Sequence, residues 1–164
     1  MYKVCLNLVI LFIIAIGAVV AQTDVSYLQY DIPKTAKKIG PFNEPRLRAT
    51  GYNYIIPGND PSSPILVGQE LYLGKSLVSR TSFLNGKKHG IHREWYSDGK
   101  LKIEEPYRNG LLNGTVKCWA ENGILVGQYE IVDGTGREIS YYSNGHIEKA
   151  SVVRLTDCIL SSEC

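Results

Sequence analysis

Trp95-Tyr-Ser-Asp-Gly-Lys-Leu101 and Trp119-Ala-Glu-Asn-Gly-Ile-Leu125 are two copies of one phrase, 24 residues apart. Between them stands Tyr107-Arg-Asn-Gly-Leu-Leu-Asn-Gly114. Asn-Gly and Asp-Gly supply the positive φ that tight hairpin turns require. Working outward, Gly86, Gly110 and Gly134 are spaced by 24 and 24, while Gly90, Gly114 and Gly136 are spaced by 24 and 22. Gly99, Gly123 and Gly145 follow the same 24 and 22, as do Leu77, Leu101, Leu125 and Ile147. Leu71, Trp95, Trp119 and Tyr141 keep step with them. One two-residue deletion between Gly134 and Gly136 accounts for every 22. A period of this size marks a stacked or meandering repeat.

Each unit carries two turn signals, one at Asn85-Gly86, Asn109-Gly110 and Asp133-Gly134, the other at Asp98-Gly99, Asn122-Gly123 and Asn144-Gly145. Turns this close leave room only for short strands, so the unit is a β-hairpin and the array an antiparallel meander. Alternation agrees. Leu101, Ile103, Glu105 and Tyr107 share one face, with Lys102, Glu104 and Arg108 opposite. Leu125, Tyr129 and Ile131 repeat the pattern against Gln128 and Glu130, as in a sheet with one packed and one wet face. Trp95 and Trp119 are expected inward, yet Arg93 and Lys117 share their parity, so a bulge is needed to reset the alternation.

These three segments resemble the MORN-repeat variant found in the YwqK family of antitoxin-like proteins. The shared pattern is an aromatic, a turn Asn-Gly, a short spacer, a second Gly, an aromatic pair and another Asn-Gly. The resemblance covers about residues 67–153. It implies a mostly β fold built from MORN-like units of about 24 residues, used as a general binding scaffold. It brings no catalytic residues. The chain departs from the pattern in its shortened third unit and its leader.

That leader is Met1 to Ala21, with a single charge at Lys3, an apolar run and a small residue before Gln22. These are the parts of a secretory signal peptide, with an uncleaved membrane anchor as the rival reading. Export to the periplasm, cell envelope or exterior is expected, which sets the chain apart from an antitoxin acting on an internal toxin. The remaining organisation is a Pro-rich extended segment over 22–64, a repeat domain over 65–155 and a tail over 156–164. Six of the seven prolines fall between Pro33 and Pro64, which leaves room for one short strand near Gly51 to Ile56. After cleavage three cysteines remain: Cys118, Cys158 and Cys164. Cys158 and Cys164 could close a small loop, or all three could stay as thiols.

Lys+Arg 18 against Asp+Glu 16 argues against a dedicated nucleic-acid binder. Nucleophile-elbow, Walker and His-Glu-x-x-His signatures are absent, and neither a metal nor a cofactor is implied. Glu104 and Glu105 point to opposite faces by alternation, so they form no catalytic pair. His89 is expected as an exposed turn residue and Cys118 as an inert strand thiol. Asn113-Gly114-Thr115 is a glycosylation acceptor sequence, but its place in the repeat explains it structurally. The binding candidates are Tyr72, Tyr96 and Tyr142, which follow the inward residues Leu71, Trp95 and Tyr141, with Ala120 after Trp119 the exception. A row of such rings on the outer face suits a sugar, a peptide or a lipid headgroup, unless the Pro-rich segment covers it. The expected role is a non-catalytic protein-interaction scaffold with an unidentified protein partner. The alternatives are a membrane-lipid surface module and a YwqK-like immunity protein.

Overall fold

The computed structural model describes residues 24–60, 62–142 and 144–153. The leader at Met1 to Ala21, the tail at 156–164 and the Cys158–Cys164 pairing lie outside the described residues. Asp24 to Ala36 form a strap with one 3-10 turn at Ser26–Gln29. Ten strands then follow one another across a single antiparallel sheet in chain order. They are β1 (Lys37–Glu44), β2 (Ala49–Ile56), β3 (Ile65–Leu73), β4 (Ser76–Leu84), β6 (Gly90–Trp95), β7 (Leu101–Arg108), β9 (Gly114–Trp119), β10 (Leu125–Val132), β11 (Thr135–Tyr141) and β12 (Ile147–Val153). The two-residue strands β5 (Lys87–Lys88) and β8 (Leu111–Leu112) branch onto β4 and β7. The expected hairpin meander is the observed fold.

The two turn series have different geometries. At Asn109 and Gly110 both φ values are positive, 53° and 92°, the signature of a two-residue hairpin turn that matches strand twist. In the other series only the glycine is left-handed. There the Tyr96 amide donates to the Lys100 carbonyl and the Gly99 amide to the Tyr96 carbonyl, closing a three-residue loop. Ala120 and Tyr142 open the same loop in the following units.

The Pro-rich lead-in supplies two eight-residue strands, more than the single short one expected, and they extend the sheet without a break into β3. Pro41 is tolerated because β1 is the edge strand and a register shift between Ile39 and Phe42 surrounds it. A register shift at Glu94/Trp95 supplies the bulge that the Trp95 parity required, and another follows at Leu125/Gly127. The same shift leaves Leu125 exposed, against its expected inward place, whereas Tyr129 and Ile131 are buried as alternation demands. The core on this face is Val116, Tyr129 and Ile131, with Ile103, Leu112, Cys118, Ile139 and Tyr141 against it. Trp95 and Trp119 are half-buried and stand outside that cluster.

The other face carries the strap, which runs back over the repeat. Ile32 sits on Gly68, the Tyr30 carbonyl on Gly90, and the Tyr27 hydroxyl beside Gly114. A Cβ at Gly68 or Gly90 would collide with the strap, so these glycines serve close approach as well as turning. Tyr27 and Ile32 are only 6% and 9% exposed.

Candidate binding surfaces

Three places on the sheet combine aromatic rings with charge. The first surrounds Glu70 on β3. Its carboxylate is 5% exposed and accepts hydrogen bonds from Tyr54 (2.6 Å), Tyr72 (2.9 Å), Arg80 (2.8 Å) and the Lys38 ammonium (3.3 Å). Burial pushes the carboxyl up, but the two tyrosines and Lys38 outweigh it, and the net displacement is downward. Lys38 Nζ lies 4.2 Å from the centroid of Tyr52, 5.0 Å from Tyr72 and 5.6 Å from Tyr54. The tyrosine corner is thus a cation cage whose occupant comes from the edge strand. Outside it lies a recess of about 410 Å³ lined by Lys38, Thr50, Tyr52, Tyr72, Gly74 and Lys75.

The sequence-derived row divides. Tyr72 belongs to this cage. Tyr96 is half-buried, and its hydroxyl donates to the Trp119 carbonyl of the next unit at 2.8 Å. Tyr142 is 52% exposed. Among the described residues no ring contact joins the three. The strap does not cover the row, because it crosses the sheet at the Gly68, Gly90 and Gly114 positions.

The second place is the histidine region. His89 is packed under the strap rather than exposed, because its ring meets Tyr30 edge-on at 5.0 Å and Tyr27 at 6.2 Å. His92 is buried on the opposite face, with Nδ1 2.8 Å from Thr81 Oγ1 and Nε2 3.7 Å from Glu94. The His92 ring beside it, outweighing burial and helped by Lys102 at 2.9 Å, holds the Glu94 carboxyl at about 2. Glu104 pairs with Arg93 at 2.7 Å, while Glu105 accepts from the Tyr107 hydroxyl at 3.1 Å, so the adjacent carboxylates do separate work. Burial first, and then Glu105 and Glu138, push the Cys118 thiol up to about 11, which suits an inert cysteine. Among the described residues no three metal-ligating side chains gather.

The third place is a groove of about 570 Å³ beside Asp24 to Leu28 of the strap. Val25, Tyr27 and Leu28 form one wall, and Ile91, Pro106, Thr115, Lys117, Glu130 and Val132 are among the sheet residues that line it. Asn113 is committed at its rim. Its amide nitrogen donates to the Tyr27 hydroxyl and its amide oxygen accepts from the Asp133 backbone, so the acceptor sequence has a structural role.

Residues 88–109 match the MORN repeat variant. The window is one hairpin of the array, from the end of β5 through β6 and β7 to the turn at Asn109. A MORN repeat points to a protein- or membrane-interaction module. No curated protein and no solved structure matches the chain.

The cage was illegible in the sequence, because its members come from four strands whose register alternation alone does not give. The groove was equally hidden, since the strap's path over the repeat glycines is a long-range contact. The one available signal was the tyrosine content of the lead-in.

Proposed function

We propose that this MORN-type chain is a non-catalytic protein-interaction scaffold, exported by its leader and working at the cell envelope. The observation that carries the choice of protein over lipid is the state of the charges. Around the matched repeat, Arg93 pairs with Glu104, Lys102 with Glu94, Lys100 with Asp98 and Arg108 with Asp133. Attraction to an anionic bilayer needs a basic field, and these pairs cancel most of one. A mixed, locally neutral surface with open aromatic recesses suits a protein partner better. Tyr72 in its recess and the exposed Tyr142 are the proposed contacts from the tyrosine row, with Tyr96 set between them.

A lipid-surface role draws support from a different observation. Ile124, Leu125, Val132, Ile147 and Val152 are each at least 45% exposed at the C-terminal end of the sheet. A YwqK-like immunity role would use the same binding faces against a toxin. Vesicle flotation separates lipid from protein binding. The chain is expected to stay at the bottom of the gradient with phosphatidylglycerol vesicles, while cross-linking in envelope extract recovers a stoichiometric protein partner. Flotation at physiological salt without any cross-linked protein would reverse the proposal.

A further inference from the structure

We propose that the recess beside the tyrosine cage binds an acidic saccharide, a sugar residue bearing a carboxylate. This site goes beyond the scaffold reading and does not rest on it.

The strand registers build the recess. Thr50 stands opposite Tyr72 and Tyr52 opposite Glu70, so these side chains share the face that Lys38 reaches from its place opposite Tyr54. Tyr52 and Tyr72 meet edge-on at 5.7 Å and 88°, which sets two ring surfaces at a right angle. Gly74, between β3 and β4, has nothing within 4 Å of a Cβ built on it, so this side stays open. With Thr50, Lys38 and Lys75 these residues border the space of about 410 Å³. β2 and β3 are interior strands, each paired on both sides, so their backbone groups are spent in the ladders and receive no incoming peptide strand. Recognition at this place falls to the side chains.

Charge and hydroxyls define the ligand. The lining holds the ammonium groups of Lys38 and Lys75 and no carboxylate. Glu70 lies behind it with its side chain 5% exposed, and Arg80 answers it as well as Lys38. Lys75 is exposed and makes no ion pair among the described residues. The adjoining β1–β2 hairpin tip brings Arg46 and Arg48, against Glu44, to the same end of the sheet. The balance favours an anion. The hydroxyls of Tyr54 and Tyr72 are committed to Glu70, whereas those of Tyr52 and Thr50 make no hydrogen bond among the described residues. A bare phosphate would meet the lysines but leave the ring surfaces and much of the volume unused. A sugar acid uses each part: its C–H face lies on a tyrosine ring, its hydroxyls meet those of Tyr52 and Thr50, and its carboxylate meets the ammonium groups.

The test is an amide-resolved nuclear magnetic resonance titration of the chain beginning at Gln22. The probes are tetragalacturonate and its methyl ester, which keeps the sugar body and removes the charge. Saturable shifts are expected at the Thr50, Tyr72 and Lys75 amides, with the ester bound about tenfold more weakly than the acid. Lys75→Gln should weaken the acid about fivefold, as loss of one partly exposed ion pair does, and leave the ester unchanged. Tyr52→Phe removes only a hydroxyl and should weaken both saccharides alike, about threefold. A misfolded variant does not give this split. No saturable shift, equal binding of acid and ester, or binding indifferent to both substitutions overturns the proposal. Shifts of the same amides with phosphatidylglycerol vesicles or inorganic phosphate, and none with tetragalacturonate, overturn it too. A cross-linked protein partner recovered beside a failed titration would leave the scaffold reading standing and remove only the saccharide site.

Discussion

Gly90 and Gly99 both hold a left-handed φ, 91° and 87°, yet they answer to different constraints. Nothing lies within 4 Å of a Cβ built on Gly99, whereas one on Gly90 meets the Tyr30 carbonyl and the Ser82 hydroxyl. Gly99→Ala should therefore cost only the conformational term, about 1 kcal/mol. Gly90→Ala adds a collision that must lift the strap, and should cost at least about 2 kcal/mol. Chemical denaturation of the two variants side by side isolates the strap contact; equal losses would deny it. Glu94 gives a second residue-scale expectation. Its folded carboxyl at about 2 lies below the ordinary glutamate value of 4.5, so its contribution is present above about pH 4.5 and is lost as pH falls toward 2. Glu94→Gln should flatten the fall in stability across that window, as followed by acid titration of the denaturation midpoint. Glu94 is 37% exposed, so the effect is reduced by solvent screening.

At the scale of the element, the hairpin was readable because its turn chemistry is local. All six turn glycines named by the repeat have positive φ. The alternation of Tyr129, Glu130 and Ile131 was equally local and holds in the burial pattern. What alternation could not supply was the register shift, which exposes Leu125 and keeps Trp95 and Trp119 outside the core cluster. The Tyr96 loop follows the same logic. Its hydroxyl ties one hairpin to the next through the Trp119 carbonyl, although the ring is only half-buried. Tyr96→Ala is expected to cost about 1–2 kcal/mol, for one hydrogen bond and part of a ring's burial. Tyr142→Ala, at an equivalent but exposed position, should stay within about 0.5 kcal/mol. Thermal and urea midpoints of both variants decide this, and a loss at Tyr142 equal to that at Tyr96 would contradict the division of the row.

Across the whole molecule, a sheet of sequential hairpins buries little between layers and must find cover elsewhere. One face closes over Val116, Tyr129 and Ile131, and the other is roofed in part by the strap. The repeat period announced the sheet, but the strap's route depended on where Ile32, Tyr30 and Tyr27 meet glycines 36, 60 and 87 residues away. Prolines in the lead-in suggested an irregular extension, and they obscured the two strands that β2's pairing with β3 makes part of the sheet. The cage around Glu70 and the open groove both arise from that N-terminal continuation. The central claim is that the strap docks on the repeat glycines, and nuclear Overhauser contacts test it most directly. In the chain beginning at Gln22, the Ile32 methyls should show cross-peaks to the Gly68 α-protons and the Tyr27 ring to Pro106 and Gly114. Absence of these cross-peaks, with Tyr27 and Ile32 at random-coil shifts while the sheet amides remain dispersed, would contradict the account.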